Sequence, residues 1–165
     1  MRIRGGFNPR ITGKPLSIVE QISIPEKLYI GLRQNGFNYI PLIKNGQKVK
    51  MGDPLAETSI AGGKIYLPAP VSGKVIFQGA DKNYRQQIII EVSDPAIKNH
   101  VYESFKPQHI SSKKIREILS KAGIWPFFWS SYSKGIPSLD LNEQPKAIIV
   151  NTVLTEPFRA SGFMV

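Results

Sequence analysis

Any chemistry in this chain has to come from a short stock of reactive side chains. Cysteine is absent from its 165 residues, which removes disulfides, thiolate metal sites, cysteine-ligated iron–sulfur clusters and a cysteine nucleophile together. The two histidines, His100 and His109, stand nine positions apart in a stretch that reads as a loop, without ligand spacing for a shared metal ion. They read as ordinary surface histidines. Gly62-Gly63-Lys64 and Gly135-Ile136-Pro137 match neither a P-loop nor a dinucleotide fingerprint, and the first reads as a turn. Ser72, within Val71-Ser72-Gly73, has no triad motif around it and reads as a turn serine. No catalytic residue and no metal ligand is assigned.

The strongest candidate for a working surface is aromatic. Trp125-Pro126-Phe127-Phe128-Trp129, with Tyr132 just beyond, puts two Trp and two Phe within five residues. A short segment cannot bury all of these unaided. Either they pack on the rest of the chain as a satellite core, or they form a contact surface for another protein of a complex or for a quinone, since aromatics dominate such anchors. The net charge of +10, from 22 basic and 12 acidic residues, leaves nucleic acid, anionic lipid and acidic protein as partners by charge alone. The basic residues are scattered, the nearest to a cluster being Lys113, Lys114 and Arg116, and no groove-reading motif accompanies them; no nucleic-acid partner is expected.

These groups must be positioned by a β-rich scaffold. Gly 14 and Pro 13 are high counts for this length and imply many short elements. Short strands are expected at Ile22–Ile24, Leu28–Leu32 and Ile40–Ile43. Gly46 to Ala56 (GQKVKMGDPLA) and Pro68 to Val75 (PAPVSGKV) each pair a tight glycine turn with a short apolar strand, and the two turns are weakly alike. Gln87 to Val92 (QIIIEV) reads as a strong strand. Close spacing with Gly/Pro turns favours a sandwich or small barrel. Ser111 or Ser112 caps a helix carrying Ile115, Ile118, Leu119 and Ala122 at helical spacing, with Gly123 suited to the C′ position. Lys146 to Val150 (KAIIV) reads as a buried-type strand, which needs neighbours. The expected organisation is an entry segment over 1–24, a β domain over 25–95, a linker over 96–110, and a helix, aromatic segment and start of an α/β domain over 111–165. The opening MRIRGGFNPR lacks an apolar h-region, and no apolar run nears the ~20 residues of a membrane span. Soluble character is therefore expected, with membrane contact peripheral or through partners.

Four sets of residues carry a resemblance. The GQKVKMGDPLAE and PAPVSGKV pair looks like the two halves of a biotinyl/lipoyl-type barrel-sandwich hybrid. The modifiable lysine of such carriers falls at Gly62 here, Lys64 being out of register. Gly5-Gly6-Phe7 with Pro9, and PEKLYIGL at Pro25 to Leu32, resemble the C subunit of the Rnf electron-transport complex. Ala122-Gly123-Ile124-Trp125 and Tyr132-Ser133-Lys134-Gly135-Ile136-Pro137 resemble the A subunit of the sodium-translocating NADH:quinone reductase. PKAIIVNTVLTEP, Pro145 to Pro157, is similar to the start of the Rossmann-like domain of both, with Asn151, Glu156 and Pro157 matching a motif shared with the flavin- and NADH-binding subunit of respiratory complex I.

The resemblance implies a mostly β fold, a barrel-sandwich hybrid followed by a short helix and the first strand of an incomplete α/β domain. It implies a subunit, or the N-terminal part of one, in an ion-translocating NADH:quinone oxidoreductase, serving assembly and quinone reduction rather than NADH oxidation. The sodium-pump form is preferred because a glycine-rich loop usual in the Rnf subunit is replaced by WPFFWSSYSKG. The alternatives are an Rnf C subunit fragment and a stand-alone lipoyl-like scaffold without a redox role. Asn151, Glu156 and Pro157 would be the cofactor positions. Val153, Leu154 and Thr155 stand where a flavin site has glycines and acids, so the chain itself is expected to bind no cofactor, quinone and NADH being used by the assembled complex. Other subunits are the implied partners, and the implied location is the inner face of the bacterial cell membrane, peripheral and cytoplasmic.

Overall fold

Alternation of apolar and polar residues sets the strands. In Gln86–Val92, Ile88 and Ile90 point inward and are fully buried while Glu91 faces out. A computed structural model describes residues 18, 23–80, 86–93, 106 and 109–150. In chain order the elements are β1 Lys27–Gly31, β2 Arg33–Gln34, β3 Phe37–Asn38, β4 Ile40–Pro41, β5 Lys48–Val49, β6 Pro54–Ile60, β7 Gly63–Pro68, β8 Gly73–Ala80, β9 Gln86–Val92 and α1 Ser112–Lys121, with a 3-10 turn at Trp125–Phe127. A four-stranded sheet runs β1-β9-β8-β5, a three-stranded sheet β4-β6-β7, and β2 and β3 form a separate hairpin, all pairings being antiparallel. Ile30, Val49, Val75, Ile88 and Ile90 of the first sheet meet Leu55 and Ile65 of the second in one core. Two antiparallel sheets closed on one core fit the barrel-sandwich hybrid that the resemblance implies.

Those two motifs interlock through their backbones. Gly52 N–H donates to the Ala69 carbonyl and Ala69 N–H returns to Asp53, both at 2.8 Å. The Ser72 hydroxyl, buried, accepts from Met51 N–H at 2.8 Å. Gly73 must be glycine, because a Cβ there would stand 2.2 Å from the Glu91 carbonyl oxygen. The turn reading of Ser72 thus has a tertiary reason: its oxygen satisfies a backbone donor of the opposite half.

Pro25–Gln144 make one compact unit. Within it α1 is capped by the Ser111 hydroxyl, which accepts from Lys114 N–H, and ends at Gly123 with φ +70°. The helix lies on β7, and its deepest residue is Ser120 rather than an isoleucine. Ile115, expected on the apolar face, is exposed. The second unit takes 1–24 and 145–165; its described residues, Ile18, Ser23, Ile24 and 145–150, form no strand. The strand expected at Ile22–Ile24 is therefore not formed at Ser23 and Ile24. Lys146–Val150 has no ladder partner among the described residues, and Ile148, Ile149 and Val150 are exposed. An apolar strand is buried only against neighbouring strands, and none of the described strands pairs with it.

Candidate functional site: a strapped hairpin and an aromatic cleft

The β6–β7 hairpin turns at Ala61-Gly62, the position at which a carrier domain would present its lysine. Here the tip is covered. Leu139 N–H donates to the Ala61 carbonyl at 2.8 Å, and the Ser138 hydroxyl donates to the same oxygen at 3.2 Å. Gly62 has φ +80°, and a Cβ on it would lie 2.1 Å from the Asp140 nitrogen. Leu139 packs against the core as a partly buried residue. Ser138–Asp140 therefore form a strap across the hairpin tip.

Arg116 of α1 holds that strap. Its guanidinium donates to the carbonyl oxygens of Ser138 (3.5 Å), Asp140 and Glu143 (2.6 Å). A rigid fork of donors suits several carbonyls presented together. Its Cζ also lies 5.9 Å from the centre of the Trp125 ring. Trp125 Nε1–H donates to the Pro137 carbonyl at 2.9 Å, fixing the strap's other end. Beneath, the Ser120 hydroxyl donates to the Lys64 carbonyl of β7. Gly123 allows the helix end to sit down, since a Cβ there would meet Pro68 Cδ at 2.5 Å.

An open groove of about 770 Å³ runs between α1, β7 and residues 139–142. Three of its cations are engaged internally. Lys64 pairs with Glu57, whose hydrogen bond and charge raise the lysine's pKa. Lys121 bonds Glu117 at 2.8 Å and holds that carboxyl below the usual range. Arg116 is occupied by backbone oxygens. These contacts make the groove a joint between α1, β7 and the strap.

The aromatic segment divides. Trp125 is only 8% exposed and belongs to the core, its ring 5.4 Å from Phe128. Trp125, named with the others as a contact residue, uses its indole for packing and for the Pro137 hydrogen bond. Phe127 is 81% and Trp129 72% exposed, with Tyr132 at 93% beyond them and Phe128 partly open. Pro126 to Trp129, Gly135 and Ile136 face the β2–β3 hairpin, where Asn35 and Phe37 complete a cleft of about 380 Å³. A bridge between Ser130 and Gly135 holds the Tyr132 turn.

Asn151, Glu156 and Pro157, named as cofactor positions, lie outside the described residues, as does His100. His109 is exposed. Arg116 was legible only as one member of a basic trio, since nothing in the sequence marks the distant carbonyls it gathers. No helix among the described residues is long and apolar enough to cross a membrane.

Comparison with known proteins agrees with this architecture. The model of the RnfC barrel sandwich hybrid domain matches residues 1–93. A protein of Neisseria gonorrhoeae, named as the A subunit of a Na(+)-translocating NADH-quinone reductase, is 30% identical over 97% of this chain and 36% of its own length. The protein of the same name from Neisseria meningitidis is 29% identical over 100% of this chain and 37% of its own. One from Actinobacillus pleuropneumoniae is 26% identical over 96% and 35%. The chain thus spans little more than a third of the length of these curated relatives.

Proposed function

Because the chain belongs to the RnfC barrel-sandwich-hybrid family, we propose that it works as an assembly and docking module of an ion-translocating NADH:quinone reductase, the complex to which its relatives belong by name. It contributes to assembly and to quinone reduction by the complex rather than to NADH oxidation. The observation that carries the reading is the contrast between two surfaces. The hairpin tip that moves cargo in carrier domains is strapped down by Ser138–Asp140, while Phe127 and Trp129 stand open beside a cleft. A scaffold with an immobilised arm and an open aromatic face suits docking.

Within this reading the partners are the other subunits of the complex, the location is the inner face of the cell membrane, and NADH and quinone belong to the assembled enzyme. The chain carries no covalent cofactor. Intact mass after co-expression with biotin and lipoate ligases should be unmodified, and a gain on Lys64 would overturn this point. The sodium-pump reading is favoured over the Rnf one by relatives that align along nearly the whole chain, past the helix into the aromatic segment. Co-expression of the tagged chain with the membrane subunits of a sodium-translocating NADH:quinone reductase tests it. Co-purification from detergent extracts is expected. Recovery of the chain alone from an extract holding the intact remaining subunits would refute it.

A further inference from the structure

Charge is unevenly spread along the segments that wall the aromatic cleft. No Asp or Glu occurs from Lys27 to Gly52, the segment that contains the β2–β3 hairpin, and none from Ile118 to Leu139, the segment that contains the aromatic turn. Arg33, Lys44, Lys48 and Lys50 in the first, with Lys134 in the second, are all exposed, whereas Lys121 is paired with Glu117. These two acid-free segments are the ones that wall the cleft. The twelve acids are thus confined to other parts of the chain, so the charge of +10 is unevenly distributed. Phe127, Trp129 and Tyr132 project from irregular turns, not from a sheet face. Exposed rings at a turn, with Lys134 beside them and no Asp or Glu among the residues that line the cleft, are what an interfacial anchor needs. The rings enter the headgroup boundary and the cations meet anionic lipid.

We propose that the Phe127–Tyr132 turn, with the β2–β3 hairpin beside it, docks on an anionic phospholipid bilayer. This deepens the reading of the aromatic face as a contact surface and names what it contacts. Trp129 and Phe127 insert to the depth of the headgroups, Tyr132 keeps its hydroxyl in the wet zone, and Lys134 and Arg33 bind lipid phosphates electrostatically. Trp125 stays in the protein core and takes no part.

The 165-residue chain is mixed with vesicles of phosphatidylcholine alone or with phosphatidylglycerol added, and binding is followed by sedimentation and tryptophan fluorescence. Binding should require phosphatidylglycerol and weaken as salt rises. Brominated lipid should quench Trp129 and spare Trp125, so the quenching disappears in Trp129→Phe. Trp129→Ala and Phe127→Ala should each weaken partitioning on the order of tenfold. Lys134→Gln should weaken it about fivefold. Matching melting curves for these variants exclude misfolding as the cause. Sedimentation without Trp129 quenching, or unchanged by Trp129→Ala, would mean charge-only adsorption and overturn the proposal. So would absence of vesicle binding in a chain that still co-purifies with the complex, which would give the face to a partner protein and leave the docking function standing.

Discussion

Gly62→Ala tests the strap against a built-in control. Gly46 and Gly62 share nearly the same backbone, φ +82° and φ +80°, so alanine suffers the same left-handed strain at both, about 1 kcal/mol. A Cβ on Gly46 meets nothing within 4 Å, whereas on Gly62 it lies 2.1 Å from the Asp140 nitrogen and 2.8 Å from the Leu139 carbonyl carbon. Backbone on the receiving side cannot rotate away, so the strap must lift. Lifting it breaks the two hydrogen bonds to the Ala61 carbonyl, at about 1 kcal/mol each, and exposes part of Leu139, at roughly 1–2 kcal/mol. Gly62→Ala should therefore cost about 4 kcal/mol and Gly46→Ala about 1 kcal/mol. Urea unfolding followed by tryptophan fluorescence reads both. The double variant with Arg116→Ala should show coupling above about 1 kcal/mol, because the strap is already loosened. Equal costs at the two glycines, within about 0.5 kcal/mol, would show that the strap does not hold the hairpin in solution.

Trp125→Ala should cost roughly 3–5 kcal/mol in the same assay, while Trp129→Ala, on the open side of the same segment, stays within about 1 kcal/mol; a reversed order would defeat the division of the aromatic segment. Ser72→Ala removes the acceptor of Met51 N–H at 2.8 Å, and a loss of about 1–3 kcal/mol is expected, measured against a Ser111→Ala cap variant costing about 1 kcal/mol. Burial raises the pKa of Tyr39, so the folded state keeps that proton to higher pH than the unfolded chain. Its contribution is complete below the ordinary tyrosine value of about 10 and is lost as pH rises from there through the folded value. Melting temperatures between pH 9 and pH 11 should fall less steeply in Tyr39→Phe, and parallel curves would contradict this. Hydrogen exchange should be slow at Gln86–Val92 and fast at 146–150; equal protection would mean that KAIIV has found a sheet.

Much of this architecture is visible in the chain itself because its information is local. A strand with inward Ile88 and Ile90, a serine ahead of the helix at Ser111 and a glycine after it at Gly123 each follow from periodicity or backbone freedom within a few residues. Two glycine-turn motifs in order are enough to suggest the barrel-sandwich hybrid. The missing cysteines and the absence of a ligand cluster in the sequence also needed no coordinates. KAIIV, read as a strand that needs neighbours, forms no ladder among the described residues, because an apolar run reports a preference for burial and not which strands stand beside it. Ile115 misled for the same reason: the helix turned Ser120 and Arg116 to the protein, where partners 56 and 22–27 residues away in sequence wait.

Whether five clustered aromatic and proline residues form core or surface was undecidable from their order. Both readings need the same composition, and only the tertiary structure, through the Pro137 carbonyl and Arg116, takes Trp125 inward while Phe127 and Trp129 stay outside. Sequence alone determined that Gly62 cannot be a carrier lysine, since residue identity is enough for that. Only the tertiary structure decided that the place is filled. Ser138–Asp140 arrive there from more than seventy residues along the chain, held by an arginine whose carbonyl acceptors exist only once the fold has gathered them.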